Sequence, residues 1–244
     1  MRFIEIKRDG RTERLILDEL MRPVRCIAGR ATTCGKAYRE EDLYSPLVVK
    51  DSWQYPERDE EGELLLEATS KGAVHVARYY HYETVQVQNA DDDVRNNVRK
   101  GLDVTEATNY RLHRSRLSLS RSAPGHESLR QKAGLLHRDI SIGNLMVSKD
   151  NRGFLIDLDL AIKEQRISAS GAKGKTGTRA FMAIGALLGE QHSFMHDLES
   201  FFWVLFWICI HCNGPGKGRV VAEFDKWNYA DTKELATLKK RAGI

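Results

Sequence analysis

Cysteine is scarce. The 244 residues hold four, Cys26, Cys34, Cys209 and Cys212, and their spacing makes no disulfide framework. The close pair Cys209-Ile210-His211-Cys212 lacks the second ligand pair that a structural zinc site needs, and it reads as one face of a buried helix. A reducing compartment follows as the default, so an intracellular location, cytoplasmic or nuclear, is expected. Long apolar runs are missing too. The longest, Phe201 to Ile210, is about half of the roughly 20 residues that a membrane span needs. The N-terminus MRFIEIKRDG has no apolar stretch of signal-peptide length, and no membrane association is expected. Charge of one sign is also lacking: a net charge of +4 is too weak to indicate a nucleic-acid partner. A hydrophobic share of 41% beside 30% charged residues provides for a core in a soluble chain, as one domain of two lobes or as two small domains.

What the chain does have is concentrated in residues 135–163, LLHRDISIGNLMVSKDNRGFLIDLDLAIK. Asp139 follows His137-Arg138, Asn144 comes five residues later, and Asp157 closes the apolar run Phe154-Leu155-Ile156. Leu145-Met146-Val147 and Phe154-Leu155-Ile156 read as two strands of a hairpin turning through residues 148–153. Such a hairpin places Asn144 at the start of one strand and Asp157 at the end of the other, so that both can face one metal ion. The pattern resembles the catalytic loop and metal loop of protein kinases, H-R-D-x-x-x-x-N followed by D-F-G.

The N-terminal third is read as β-rich. Phe3 to Ile6 alternates, Asp9-Gly10 is a hairpin turn signal, and Leu15-Ile16-Leu17 resumes the strand pattern. Residues 29–38, GRATTCGKAY, resemble a glycine-poor version of the loop that covers ATP phosphates, with Gly29 at one family glycine position and Ala31 and Cys34 at the other two. Leu47-Val48-Val49-Lys50 resembles the apolar strand whose terminal lysine supplies a fixed cation beside the α- and β-phosphates. Glu57 to Lys71 reads as an acidic helix with Leu64, Leu65 and Ala68 as its apolar stripe. The resemblance gives this helix the glutamate that pairs with Lys50. Glu63 is the choice by position, with Glu60, Glu61 and Glu67 as rivals. Residues 76–80 and 84–87 read as one more strand pair.

Residues 89–128 are polar and basic, include RLHRSRLSLSRSAPG, and read as a linker without structure of its own. No apolar strand leading to an adenine-binding hinge and no long helix ahead of the catalytic loop is legible there. Residues 127–133 remain as a short helical piece. The expected division is therefore a β-rich part over 1–88, a linker over 89–128, and a mainly helical part over 129–244.

The C-terminal third continues the pattern. Ala161 to Lys175 has the composition of an exposed activation loop. GTRAFMA at 177–183 resembles the end of that loop, with Ile184 and Gly185 where Pro and Glu would stand. Residues 196–207, HDLESFFWVLFW, read as a helix apolar all round, which demands burial. Asp197 at its start matches the aspartate that binds the catalytic-loop backbone in kinases. Thr232 to Arg241 reads as a last, mostly polar helix.

Together, HRDISIGN, FLIDLDLA, GTRAFMAIGALL and HDLESFFWVLFW resemble the fungal-type protein kinase domain. The resemblance implies an α+β, two-lobe protein kinase-like fold, with a small β-rich N-lobe and a mainly helical C-lobe, in a shortened form. It implies ATP and Mg²⁺ as cofactors. Asp139 would act on the substrate hydroxyl, Asn144 and Asp157 would hold the metal, and Lys50 with Glu63 would anchor the phosphates under Gly29 and Ala31. His137, Arg138 and Asp197 would support the loops. Ser141 replaces the lysine common two residues after the base, and Asp159 replaces the D-F-G glycine. Three readings stand: a Ser/Thr protein kinase acting on a protein substrate, a pseudokinase scaffold or inactive fragment, and a small-molecule phosphotransferase. The aromatic residues around the helix from Asp197 to Cys212 also predict that a partner is needed to cover it.

Overall fold

A computed structural model of the chain describes residues 2–22, 32–54, 58–93, 97, 114–121, 129–147, 151–164, 177–214 and 217–242, with residues 20–22 and 114–121 described by their backbone alone. The described chain forms two compact units, Met1–Ser70 with Ala77–Ala123, and Lys71–Val76 with Pro124–Ile244. Among the described residues no helix is long and apolar enough to cross a membrane.

Among the described residues, the first unit is an antiparallel sheet with one helix. Strand β1 (Arg2–Arg8) turns into β2 (Arg11–Arg22) through Asp9 and Gly10, both with positive φ. This is the two-residue turn geometry whose twist matches paired strands, and it sets Arg8 opposite Arg11. Strand β3 (Thr33–Arg39) pairs with β2 and with β4 (Asp42–Gln54). Pro46, which has no N–H to donate, falls where the β3–β4 register slips between Ala37 and Arg39, a place where a strand tolerates proline. Ile6, Leu15, Ala37, Leu47, Val49 and Tyr80 form this unit's core. The helix α1 (Glu61–Ser70) buries Leu64, Leu65 and Ala68, the stripe expected from the sequence, but it starts four residues later than the acidic composition predicts.

Beyond α1 the expected pairing of residues 76–80 with 84–87 is not found. Strand β5 (Arg78–Thr84) runs through the expected turn, and the short β6 (Gln86–Val87) pairs with β7 (Ala90–Asp91) around Gln88 and Asn89, both left-handed. The larger correction concerns the linker. Strand β8 (Arg114–Arg121) lies inside the sheet between β4 and β5, in the order β1-β2-β3-β4-β8-β5. It pairs with β4 from Ser120 opposite Val48 to Arg114 opposite Gln54. The alternation in RSRLSLSR is the period of two that a strand requires. Its arginines and serines hid that period behind a loop-like composition.

The second unit holds the short α2 (Leu129–Ala133), the pair β9 (Leu135–Leu136) and β12 (Ile162–Lys163), and the hairpin β10 (Leu145–Val147) with β11 (Gly153–Leu155). Then come α3 (Ile184–Leu188), α4 (Phe194–His211), α5 (Ala222–Asp225) and α6 (Thr232–Arg241). Trp203, Val204, Trp227, Leu235, Ala236, Phe181 and Leu187 make the main core. Burying each such side chain is worth roughly 1.5–3 kcal/mol. The expectation that α4 is buried all round holds for one face only. Ser200, Trp203 and Val204 are covered, while Met195, Leu198, Phe202, Leu205 and Ile208 are exposed among the described residues. Cys209 and Cys212 also lie on the exposed side as free thiols, so the buried-face reading of that pair is corrected. The Gly29 and Ala31 positions, and residues 165–175 of the expected activation loop, lie outside the described residues.

Candidate active site

In the second unit the site grows out of the β10–β11 hairpin. Leu145 stands opposite Leu155, and the N–H of Ile156 donates to the carbonyl of Asn144 at 3.0 Å. That bond fixes Asn144 beside the residue that precedes Asp157. The hairpin is tied from behind by the Leu155 N–H, which donates to the His75 carbonyl at 2.7 Å, and by the bridge between Val76 and Leu155. Asp157 has φ of +67°, a left-handed conformation rare in non-glycine residues and typical of sites where surrounding structure holds strain. Its carboxylate accepts the N–H of Asp159 at 3.3 Å. Asp159 itself is buried and is not among the positive-φ residues, so its backbone does not call for the glycine that D-F-G would place there.

Asp139 is 9% exposed and Asn144 is 8% exposed. The two Nδ2 hydrogens of Asn144 go to the Asp139 carbonyl at 2.9 Å and to Asp139 Oδ2 at 3.1 Å. Asp139 Oδ1 accepts the Thr178 N–H at 2.8 Å and the Thr178 hydroxyl at 3.0 Å. Three donors thus fix the carboxylate in one orientation. Thr178 stood within the GTRAFMA motif, but sequence reasoning gave it no role. Its signal was present in that the residue follows Gly177, whose φ is +119° and where a Cβ would come 2.9 Å from the Arg138 carbonyl. Glycine alone lets residue 178 approach Asp139 this closely.

The loop before Asp139 hangs from Asp197, in the first turn of α4. Asp197 Oδ2 accepts the His137 N–H at 2.8 Å and Oδ1 accepts the Arg138 N–H at 3.0 Å. These bonds hold Arg138 in its left-handed conformation, φ +66°. His192 Nε2 meets Asp197 Oδ1 at 2.8 Å. Burial pushes the Asp197 carboxyl up, but the hydrogen bond and charge of His192, with His137 behind it, outweigh burial and leave it below the usual carboxylate range. The His137 ring is buried, with Nε2 3.0 Å from the Ile156 carbonyl, and so links the catalytic loop to the hairpin strand. Ser141 is buried, and its carbonyl accepts the Asn144 N–H.

In the first unit, Lys50 sits within β4 rather than at its end. It pairs with Glu61 at 2.9 Å, with both side chains under 10% exposed. The expected partner, Glu63, is corrected: it is exposed, because two residues advance a helix by about 200° and Glu61 already faces the sheet. Gly62 explains the facing. A Cβ there would come 2.2 Å from the Tyr82 ring, so only glycine lets α1 rest this closely on β5 and present Glu61 inward.

The described residues thus hold a buried lysine–glutamate pair in the first unit and, in the second, an Asp139–Asn144 loop held rigidly on a β-hairpin. The sequence model described as fungal protein kinase matches residues 1–123 and 117–209, and the chain belongs to that family. The match runs through residues 89–123, where the sequence reading had seen only a linker. A protein of Encephalitozoon cuniculi (strain GB-M1) named Probable casein kinase I homolog is 36% identical over 77 residues, 30% of this chain and 24% of that relative. The chain thus spans about a quarter of the length of the curated relative it matches. The solved ROP18 kinase domain, in complex with AMP-PNP and sucrose, is similar with a TM-score of 0.48 at 15% identity, covering 98% of this chain and 81% of that one.

Proposed function

We propose that the chain is an ATP-dependent protein kinase domain that transfers a phosphoryl group to Ser or Thr hydroxyls of a protein substrate. The observation that carries this reading is the Asp139 carboxylate, whose oxygens are divided between Asn144 on one side and Thr178 on the other. A carboxylate held in this way is oriented to accept a proton from an acceptor hydroxyl, which is the contribution phosphoryl transfer needs from a base. As the hydroxyl oxygen bonds to the γ-phosphorus, its proton passes to Asp139, and the bond to the nucleoside diphosphate breaks. Lys50, held by its ion pair with Glu61, would supply the fixed cation for the α- and β-phosphates.

The donor set fits Mg²⁺. With both amide hydrogens of Asn144 committed to Asp139, its carbonyl oxygen is the atom left to face a cation. Asp157 adds a carboxylate held at the end of the same hairpin, and hard cations take oxygen ligands of this kind. When bound, the metal would neutralise charge on the phosphate oxygens. The proton acceptor and its alignment come from the chain's own residues.

The direct test is incubation of the full chain with radiolabelled ATP, Mg²⁺ and a mixed basic-protein acceptor, followed by phosphoamino-acid analysis. Label on serine or threonine is expected. Nucleotide binding without any transfer would replace this reading with a scaffold, and label on a small-molecule hydroxyl alone would make the chain a small-molecule phosphotransferase.

A further inference from the structure

Residues 177–184 carry Thr178 to Asp139, and the kinase glutamate expected near their end is absent. Gly185 stands there instead. A Cβ built on it would meet Glu190 Oε2 and His196 Nε2 at 2.4 Å, and those two side chains pair with each other at 3.4 Å. The segment is held by other means. The Arg179 guanidinium donates to the Ala230 carbonyl at 2.9 Å. The Ile184 N–H donates to Glu199 Oε1 at 2.8 Å, the same oxygen that accepts the Trp203 indole N–H at 2.9 Å. Between these two anchors, Lys239 of α6 donates its Nζ to the Met182 carbonyl at 2.5 Å.

Lys239 is an unusual residue for this task. It is 0% exposed, whereas a lysine on a polar terminal helix ordinarily points into water. Its ammonium lies over the Trp203 ring at 4.3 Å and near the Trp227 ring at 5.6 Å. A purely structural role at this depth would be met better by an apolar side chain, since a buried charge opposes folding unless it is compensated.

We propose that Lys239 is a positioning residue of the phosphotransfer site, holding the Met182 carbonyl so that Thr178 stays hydrogen-bonded to Asp139. The proposal rests on the phosphotransfer reading for its activity readout and on geometry alone for its structural one. Two indole faces and one carbonyl form a socket for an ammonium group. The ammonium in turn fixes the segment at its middle, four residues from the contact with the base.

The test uses the full chain and compares the parent with Lys239→Met and with Lys240→Met, an exposed lysine on the same helix. For Lys239→Met the melting temperature is expected to stay level or rise, while the Thr178 amide exchanges with solvent at least about tenfold faster. The kcat of transfer is expected to fall roughly tenfold with KM for ATP changed less than about twofold, the split expected when only acceptor-side alignment is lost. Lys240→Met should move none of these. A folded Lys239→Met with unchanged Thr178 exchange would overturn the proposal. If Lys239→Met does not fold, Lys239→Leu, which also removes the donor to the Met182 carbonyl, is read in its place by the same criterion. If the parent transfers no phosphate, the functional reading fails, and the amide comparison still decides the latch.

Discussion

Lys50 and Glu61 show how closely a single position decides an ion pair. They meet at 2.9 Å with little exposure, and removing one partner of a buried pair typically costs about 3–5 kcal/mol because the other charge stays buried. Glu61→Ala is therefore expected to lower the unfolding midpoint strongly and to weaken Mg-ATP binding, whereas exposed Glu63→Ala should stay within about 0.5 kcal/mol of the parent. Denaturant titrations of the two variants check this, and a larger loss for Glu63→Ala than for Glu61→Ala would return the pairing to Glu63. Lys239 makes a second prediction, on pH. Burial pulls its ammonium down from the usual 10.5 to about 7, with the Glu199 charge opposing. The unfolded chain therefore binds the proton more readily than the folded one, and the penalty is complete below about 7 and fades as pH rises toward 10.5. Between pH 7 and 9 this group should add about 2–3 kcal/mol of stability. Lys239→Met should flatten that rise, measured by urea unfolding at both pH values. An identical pH slope in parent and variant would contradict the burial of the charge.

Elements differ in how well their sequence announces them. The β1–β2 turn, the β10–β11 hairpin and α6 were legible because each is set by neighbours in the chain: Asp9-Gly10 for the first, two apolar triplets for the second, and Asp231 for the third. The Asp231 carboxylate caps α6 by accepting the N–H groups of Lys233 and Glu234. Asp139, Asn144, Asp157 and Asp197 were picked out by motif spacing, and the structure brings Asp197 to the loop backbone and Asn144 to Asp139 as that spacing implies. Strand β8 was not legible, since its place between β4 and β5 is dictated by pairing with residues 60–72 positions away in β4 and 32–43 away in β5, and nothing in an Arg/Ser-rich segment reports such partners. The choice of Glu61 was hidden for a similar reason, because it follows from Gly62 resting on Tyr82. Lys239 and Thr178 gained their roles only when distant segments met.

For the whole molecule, two features carry the predictions: an open apolar face and the carboxylate proposed as the base. Met195, Leu198, Phe202 and Leu205 recur at helical spacing along α4 and are 41–67% exposed, a contiguous patch of the kind that drives association. The full chain is expected to self-associate at micromolar concentration or to require a covering partner. Leu198→Lys with Leu205→Lys should shift size-exclusion elution toward the monomer without lowering the melting temperature. A parent that elutes as a monomer, unchanged by the substitutions, would show that the face is already covered. The central claim concerns the base. The most direct measurement compares radiolabelled phosphoryl transfer by the parent and by Asp139→Asn, with Mg-ATP binding followed by thermal shift in both. The account predicts loss of transfer by at least about a hundredfold, the scale of general-base catalysis, with the nucleotide-induced shift retained. Equal transfer by the two proteins would contradict it.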